Sequence, residues 1–181
     1  TLTMTAPRSS RVDADFAPLP SHSLEVEELA GVLHPETMIP SLSSSTKIGA
    51  IKELVNALHS RGTVADSLSF LQAVLERENL GSTVLEGEVA LPHARSRTVQ
   101  QLGMAVGVCP QPLNFPSGDD LHGVRLVCLI AVPSESPALS LGLLGAVART
   151  LGAADVPQQV MAAGNPMDMH RILAARIGGL A

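Results

Sequence analysis

The sequence predicts a single compact α/β domain, and three observations carry that prediction. Apolar runs at 102–109 and 124–132 have the length and continuity of strands buried on both faces. Segments before and after them place apolar residues at helical spacing. The chain has 181 residues and is 45% hydrophobic, enough for one sizeable core.

The elements follow in order. Residues 1–23 are rich in Ser, Pro, Ala and Thr with little periodicity; they read as a flexible tail and leave 24–181 as the folded unit. Residues 24–32 suit one or two helical turns ending near Gly31, and His34-Pro35 then forces an extended or turn conformation. Residues 37–42 read as an edge strand interrupted by Pro40. The Ser and Thr side chains at 43–46 can cap a helix that carries Ile48, Ile51, Leu54, Val55 and Leu58 and ends near Gly62. Asp66 is a second N-cap. The helix after it has an apolar face of Leu68, Leu71, Val74 and Leu75, with Arg77 and Glu78 on its last turn and Gly81 as a stop. Glu76 and Glu78 are expected to face solvent or pair with arginines. Two short strands are expected at 83–86 and 88–91, the second ended by Pro92. Residues 110–123, with Pro110, Pro112 and Pro116, read as a loop holding a short edge strand at 113–115. Pro137 suits the first turn of a third helix with Leu139, Leu143, Val147 and Leu151 at four-residue spacing. Two closing helices, at 156–163 and 168–177, flank Gly164-Asn165-Pro166.

Composition excludes several functions. A net charge of −5 leaves no basic face for nucleic acid. The chain has neither Trp nor Tyr, so base-stacking platforms are not expected. No stretch approaches the roughly 18 apolar residues of a membrane span, and the first residues lack the pattern of a signal peptide. Cys109 and Cys128 sit in apolar runs and read as buried, unreactive thiols, which fits a reducing cytoplasm. No histidines have metal-ligand spacing, and neither G-x-G-x-x-G nor G-x-x-x-x-G-K-[ST] is present. No cofactor or metal is expected.

One residue stands out for chemistry. His93 follows the apolar run Val89-Ala90-Leu91 and Pro92, with Arg77 and Arg95 flanking it in sequence. A neutral imidazole nitrogen is a good nucleophile toward phosphorus near neutral pH. Arg77 can supply bidentate donors to a phosphoryl group, and the Ser82 and Thr83 hydroxyls neutral ones. Arg95 and Arg97 read as surface residues that can join a docking face. Taken alone, His93 reads rather as a strand-end histidine satisfied by a backbone carbonyl, and Arg77 as a solvated helix-end charge favoured by the dipole.

The run Arg77-Glu78-x-x-Gly81-Ser82-Thr83, then Gly87 and Val89-Ala90-Leu91-Pro92-His93-Ala94-Arg95, resembles the signature of type-2 enzyme IIA domains of the bacterial phosphotransferase system. These form the fructose/mannitol and nitrogen-regulatory class. The resemblance extends through Leu113-Asn114-Phe115 and Ala131-Val132-Pro133, over roughly 38–177. It implies a mixed central sheet flanked by helices. It also implies a histidine that accepts a phosphoryl group from an HPr-like phosphocarrier protein and passes it to a IIB domain or acts on a regulated target protein. His93 matches the phosphorylated position and Arg77 the arginine that helps hold the phosphohistidine. One position departs from the pattern. The family carries a second histidine at the start of the helix after the Ala-Val-Pro strand, where Ser140 stands here. Serine can donate a hydrogen bond but carries no charge. No histidine lies between His122 and His170; His122, in the expected loop, is the one remaining substitute. Two functions follow from the resemblance. One is a stoichiometric phosphohistidine carrier, regulatory rather than a dedicated sugar importer because no IIB or IIC segment is attached. The other is a non-catalytic regulatory or binding module that has lost transfer. His93 with Arg77 favours the first, Ser140 the second.

Overall fold

The computed structural model describes residues 31–85, 88–117, 120–135 and 137–178, with side chains except at 117, 120–122 and 137–141. The tail expected at 1–23, most of the helical segment expected at 24–32, and Gly87 lie outside these residues. A 3-10 turn at Pro35–Thr37 leads into strand β1 (Met38–Ile39) and helices α1 (Lys47–Ser60) and α2 (Ser67–Leu80). Strands β2 (Val89–Ala90), β3 (His93–Ser96), β4 (Gly103–Ser117) and β5 (Asp120–Pro133) follow. Helices α3 (Pro137–Gly152), α4 (Val156–Ala162) and α5 (Pro166–Gly178) close the chain.

The strands form one mixed sheet in the order β1-β4-β5-β2, with β3 also pairing β5. β4 and β5 are antiparallel, β1 runs parallel to β4, and β2 and β3 run parallel to β5. Both faces are covered, so alternate residues of β5 enter different cores. Leu126, Cys128, Ile130 and Val132 pack with Leu143, Val147, Leu151, Val160 and Leu173 of the last three helices. Val127, Leu129 and Ala131 pack with Ile51, Leu54, Phe70 and Val74 of α1 and α2. Burying each such Leu or Ile contributes about 1.5–3 kcal/mol, and two layers anchored on one strand tie the helices to a common frame.

The helices start where capping chemistry directs. Thr46 accepts from the Gly49 N–H at 3.1 Å and Asp66 from the Ser69 N–H at 3.1 Å. The buried face of α1 is Ala50, Ile51, Leu54, Val55 and Leu58, while Ile48, expected on that face, is 57% exposed. On α2 the expected face is rotated. Phe70, Val74 and Glu78 are buried, Leu71 and Leu75 pack at the margin, and Leu68 is 65% exposed. The larger Phe70 side chain takes the core, and the charge of Glu78 is met inside. α5 opens at Pro166, two residues before the expected start, because proline suits a first helical turn and Asn165 caps it from the Asp168 N–H at 2.9 Å.

One strand expectation is corrected. Residues 110–117 and 120–123 are strand rather than a loop holding a short strand at 113–115: β4 and β5 form one long hairpin that pairs Leu113 with Val124 and Phe115 with His122. A register irregularity between Val108 and Leu113 takes up Pro110 and Pro112, which are exposed where the ladder is interrupted. The strand β2 ends at Ala90, before Pro92 as expected. Pairing to β5 resumes at His93 with unchanged register, Val89 opposite Leu126 and His93 opposite Ile130. Pro92 has no N–H, but its carbonyl accepts from the Ile130 N–H at 3.0 Å and carries the ladder across the gap.

Candidate functional site

The first residue after that gap is His93, on the outer edge of the sheet. Its pairing partner Ile130 belongs to the core under the C-terminal helices, whereas Ala131, opposite Ala94, faces α1 and α2. Paired residues of a parallel ladder share a face, so His93 and Arg95 lie opposite in sense to the buried Ala94. His93 is half-buried, and its Nδ1 lies 2.9 Å from the Leu91 carbonyl. A carbonyl can only accept, so this contact requires the proton on Nδ1 and leaves the Nε2 lone pair of the neutral ring free.

His93, Ala94 and Arg95 of β3 and Ala73, Glu76, Arg77 and Leu80 of α2 line an open groove of about 500 Å³. Arg77 sits on the last turn of α2, where the dipole favours a cation, and its Nη1 donates to the Gly81 carbonyl at 3.2 Å. Arg95 is exposed and still reaches the groove. Two guanidinium groups against the single carboxylate of Glu76 make the wall net positive. Leu80 is 85% exposed at its rim. The arrangement can hold a tetrahedral anion against a nucleophilic nitrogen, with room for a partner molecule to approach.

Ser82 and Thr83 are not among the residues lining the groove. The Ser82 hydroxyl accepts from the Val84 N–H at 3.2 Å, and the Thr83 hydroxyl donates to Glu78. Ser140 falls in the first turn of α3, and its side chain lies outside the described residues. His122 lies in β5 rather than in a loop. Eight residues of strand separate it from Ile130, roughly 26 Å at the usual rise, which is beyond the reach of the His93 ring. Among the described residues, no three His, Cys, Asp or Glu side chains cluster as a metal site, and no helix is long and apolar enough to cross a membrane.

Residues 32–176 match the family model of the phosphoenolpyruvate-dependent sugar phosphotransferase system, EIIA 2. The chain belongs to this family. It is 27% identical over 142 residues to the 2-O-alpha-mannosyl-D-glycerate-specific EIIABC component of Escherichia coli, covering 78% of this chain and 22% of that much longer protein. It is also 27% identical over 146 residues to a nitrogen regulatory protein of Bradyrhizobium diazoefficiens, covering 81% of this chain and 94% of the relative. The crystal structure of the nitrogen regulatory protein IIA-Ntr from Neisseria meningitidis superposes with a TM-score of 0.73 at 22% identity, over 80% of this chain and 98% of that one. The EIIA 2 chain described here thus has both sugar-specific and nitrogen-regulatory relatives.

Sequence reasoning missed three groups connected to this candidate site. Glu78, expected in solvent or beside an arginine, has a side chain only 3% exposed. One oxygen accepts from Thr83; the other lies 2.8 Å from Lys47 Nζ, a close ion pair without the alignment of a hydrogen bond. Lys47, itself 21% exposed, also lies over the Phe115 ring at 5.1 Å. The third is the Leu91 carbonyl. The only advance signal was chemical: an acidic residue at the buried eighth position after Phe70 needs an internal partner.

Proposed function

We propose that this chain is a phosphohistidine carrier of a phosphotransferase system. It takes a phosphoryl group onto His93 from an HPr-like donor and delivers it to a IIB domain or uses it to signal to a regulated target. The single observation that supports this most is the Nδ1 contact to Leu91, because it frees Nε2 beside two arginines. The Nε2 lone pair attacks phosphorus, the P–N bond of the donor phosphohistidine breaks, and its electrons return to the donor imidazole. No proton leaves His93, since Nδ1 keeps its own. Arg77 supplies N–H donors to the equatorial oxygens, where charge develops during transfer. Arg95 adds positive field, and exposed Leu80 offers an apolar contact to the docking partner. The likeness to nitrogen regulatory proteins supports the regulatory branch. The two buried free thiols fit a cytoplasmic location.

One specific observation favours a second reading, a binding module without transfer: Ser140 stands where the family carries a second histidine, so one cation is missing. One assay separates them. Incubated with enzyme I, HPr and labelled phosphoenolpyruvate, the carrier takes up acid-labile, base-stable label, and His93→Gln takes up none. Absence of label with several HPr homologues would overturn the carrier and leave the module.

A further inference from the structure

The buried Lys47–Glu78 pair does not line the groove, yet a continuous chain of contacts joins it to the imidazole. Glu78 accepts from the Thr83 hydroxyl. The Thr83 carbonyl accepts from the Leu91 N–H at 2.9 Å. The Leu91 carbonyl accepts from His93 Nδ1 at 2.9 Å. We infer that Lys47, Glu78 and Thr83 are positioning residues for His93: they hold the Leu91–Pro92 peptide in the orientation that fixes the imidazole tautomer.

The argument turns on a property of that peptide. Its nitrogen belongs to Pro92, so it has no N–H and cannot be anchored by a donor of its own. Its carbonyl is the acceptor that His93 uses. Its direction is set from its two ends, by Ile130 N–H to the Pro92 carbonyl on the sheet side and by Leu91 N–H to the Thr83 carbonyl on the outer side. The sheet side is rigid. Among the described residues, the outer side is a short segment held by the antiparallel bridge of Val84 to Ala90, whose two bonds are Leu91 N–H to the Thr83 carbonyl and Leu85 N–H to the Val89 carbonyl. The hydroxyl of Thr83 ties that segment back to α2 through Glu78, and Lys47 holds the far carboxylate oxygen from the first residue of α1. Glu78 also follows Arg77 directly, so the same tie steadies the helix turn that carries the groove's arginine. A weakened tie lets the Leu91 carbonyl swing, and the imidazole loses the acceptor that keeps its proton on Nδ1.

The inference rests on the reading of His93 as the phosphoryl acceptor, but its test has a readout independent of transfer. Thr83→Val keeps the shape and removes the donor; Thr83→Ser restores it. Long-range 1H–15N correlation spectra of the labelled protein, at a pH where the ring is neutral, report the His93 tautomer; His93→Gln assigns the signal. The wild type and Thr83→Ser are expected to show the Nδ1–H form alone, and Thr83→Val a mixture with the Nε2–H form. The rate of phosphorylation at saturating donor is expected to fall about 10-fold in Thr83→Val, the low end for losing a partner that orients a reacting imidazole, with half-saturation unchanged. A wild-type tautomer in folded Thr83→Val overturns the inference. Should Thr83→Val fail to fold by circular dichroism, Glu78→Gln is read instead, with the same expected mixture and the same overturning result. If the wild type takes no phosphoryl group from any donor, the carrier reading fails while the tautomer spectra still decide this one.

Discussion

Cys109 and Cys128 illustrate how far a single residue's surroundings set its chemistry. Both are buried, one in each core layer. Burial pushes the Cys109 thiol up to about 11, against partial relief from Arg125, and drives Cys128 higher still. Both are therefore protonated at neutral pH, and the thiolate is the reactive form. An aromatic disulfide reagent added to the native protein at pH 7.5, a pH of roughly one unit below that of a free thiol's midpoint, is expected to label neither residue, and to label both once denaturant is added. Prompt labelling of the folded protein would contradict the buried assignment. At the same scale, His93 unites two readings that compete in the sequence. A histidine satisfied by a backbone carbonyl is the bland one, and here that same carbonyl leaves the Nε2 lone pair free, which the proposed carrier function requires.

At the scale of elements, the entry to α1 carries a pH-dependent tie. Glu53, on the second turn of the helix, accepts from the backbone N–H groups of Ser43 and Ser44 at 2.9 and 3.0 Å. Burial alone would raise its pKa, but these donors outweigh it and hold the carboxyl below its ordinary value of 4.5. A group whose pKa is lower in the folded state stabilises the fold above its unfolded pKa, and the contribution disappears as pH falls through the folded value. Glu53→Gln is therefore expected to be less stable than the wild type at neutral pH, with the gap closing below about 4, under the unfolded carboxylate value. Urea titrations at several pH values check this; a gap that persists in acid would show that packing, not charge, is responsible. The hairpin shows a different limit. Its prolines read as loop because proline removes a ladder donor, and that rule holds only where the ladder needs the donor. In β4 the register irregularity places Pro110 and Pro112 where none is needed.

For the whole molecule, the mixed sheet with helices on both faces follows from what the sequence displays: the apolar runs of β4 and β5, helical spacing around Ile51, Leu54 and Leu58, and caps at Thr46 and Asp66. These signals are local, so one chain segment suffices to read them. The site divides along the same line. His93 and Arg77 are legible because their residue types and motif are local. The Glu78–Lys47 pair is not, because Lys47 lies 31 positions earlier and only the packing of α1 on α2 brings them together. Arg95 reads as surface and is surface, yet its place on the groove depends on the resumption of pairing after Pro92. That resumption has a consequence for how this edge can change. The interruption spans two residues, Leu91 and Pro92, and an even interval preserves which way every later side chain points. Substitutions there leave His93 facing outward. Deleting Pro92 alone would shift the phase by one and exchange the two sheet faces on which the His93 and Ala94 side chains lie, taking the imidazole out of its present alignment with the Leu91 carbonyl. The expected product is a folded protein that takes up no label in the phosphoenolpyruvate assay. Removing Leu91 and Pro92 together would restore the phase but shorten the edge. The spacing between the apolar run and the imidazole is therefore expected to tolerate changes in the residues that fill it but not a change of one in their number.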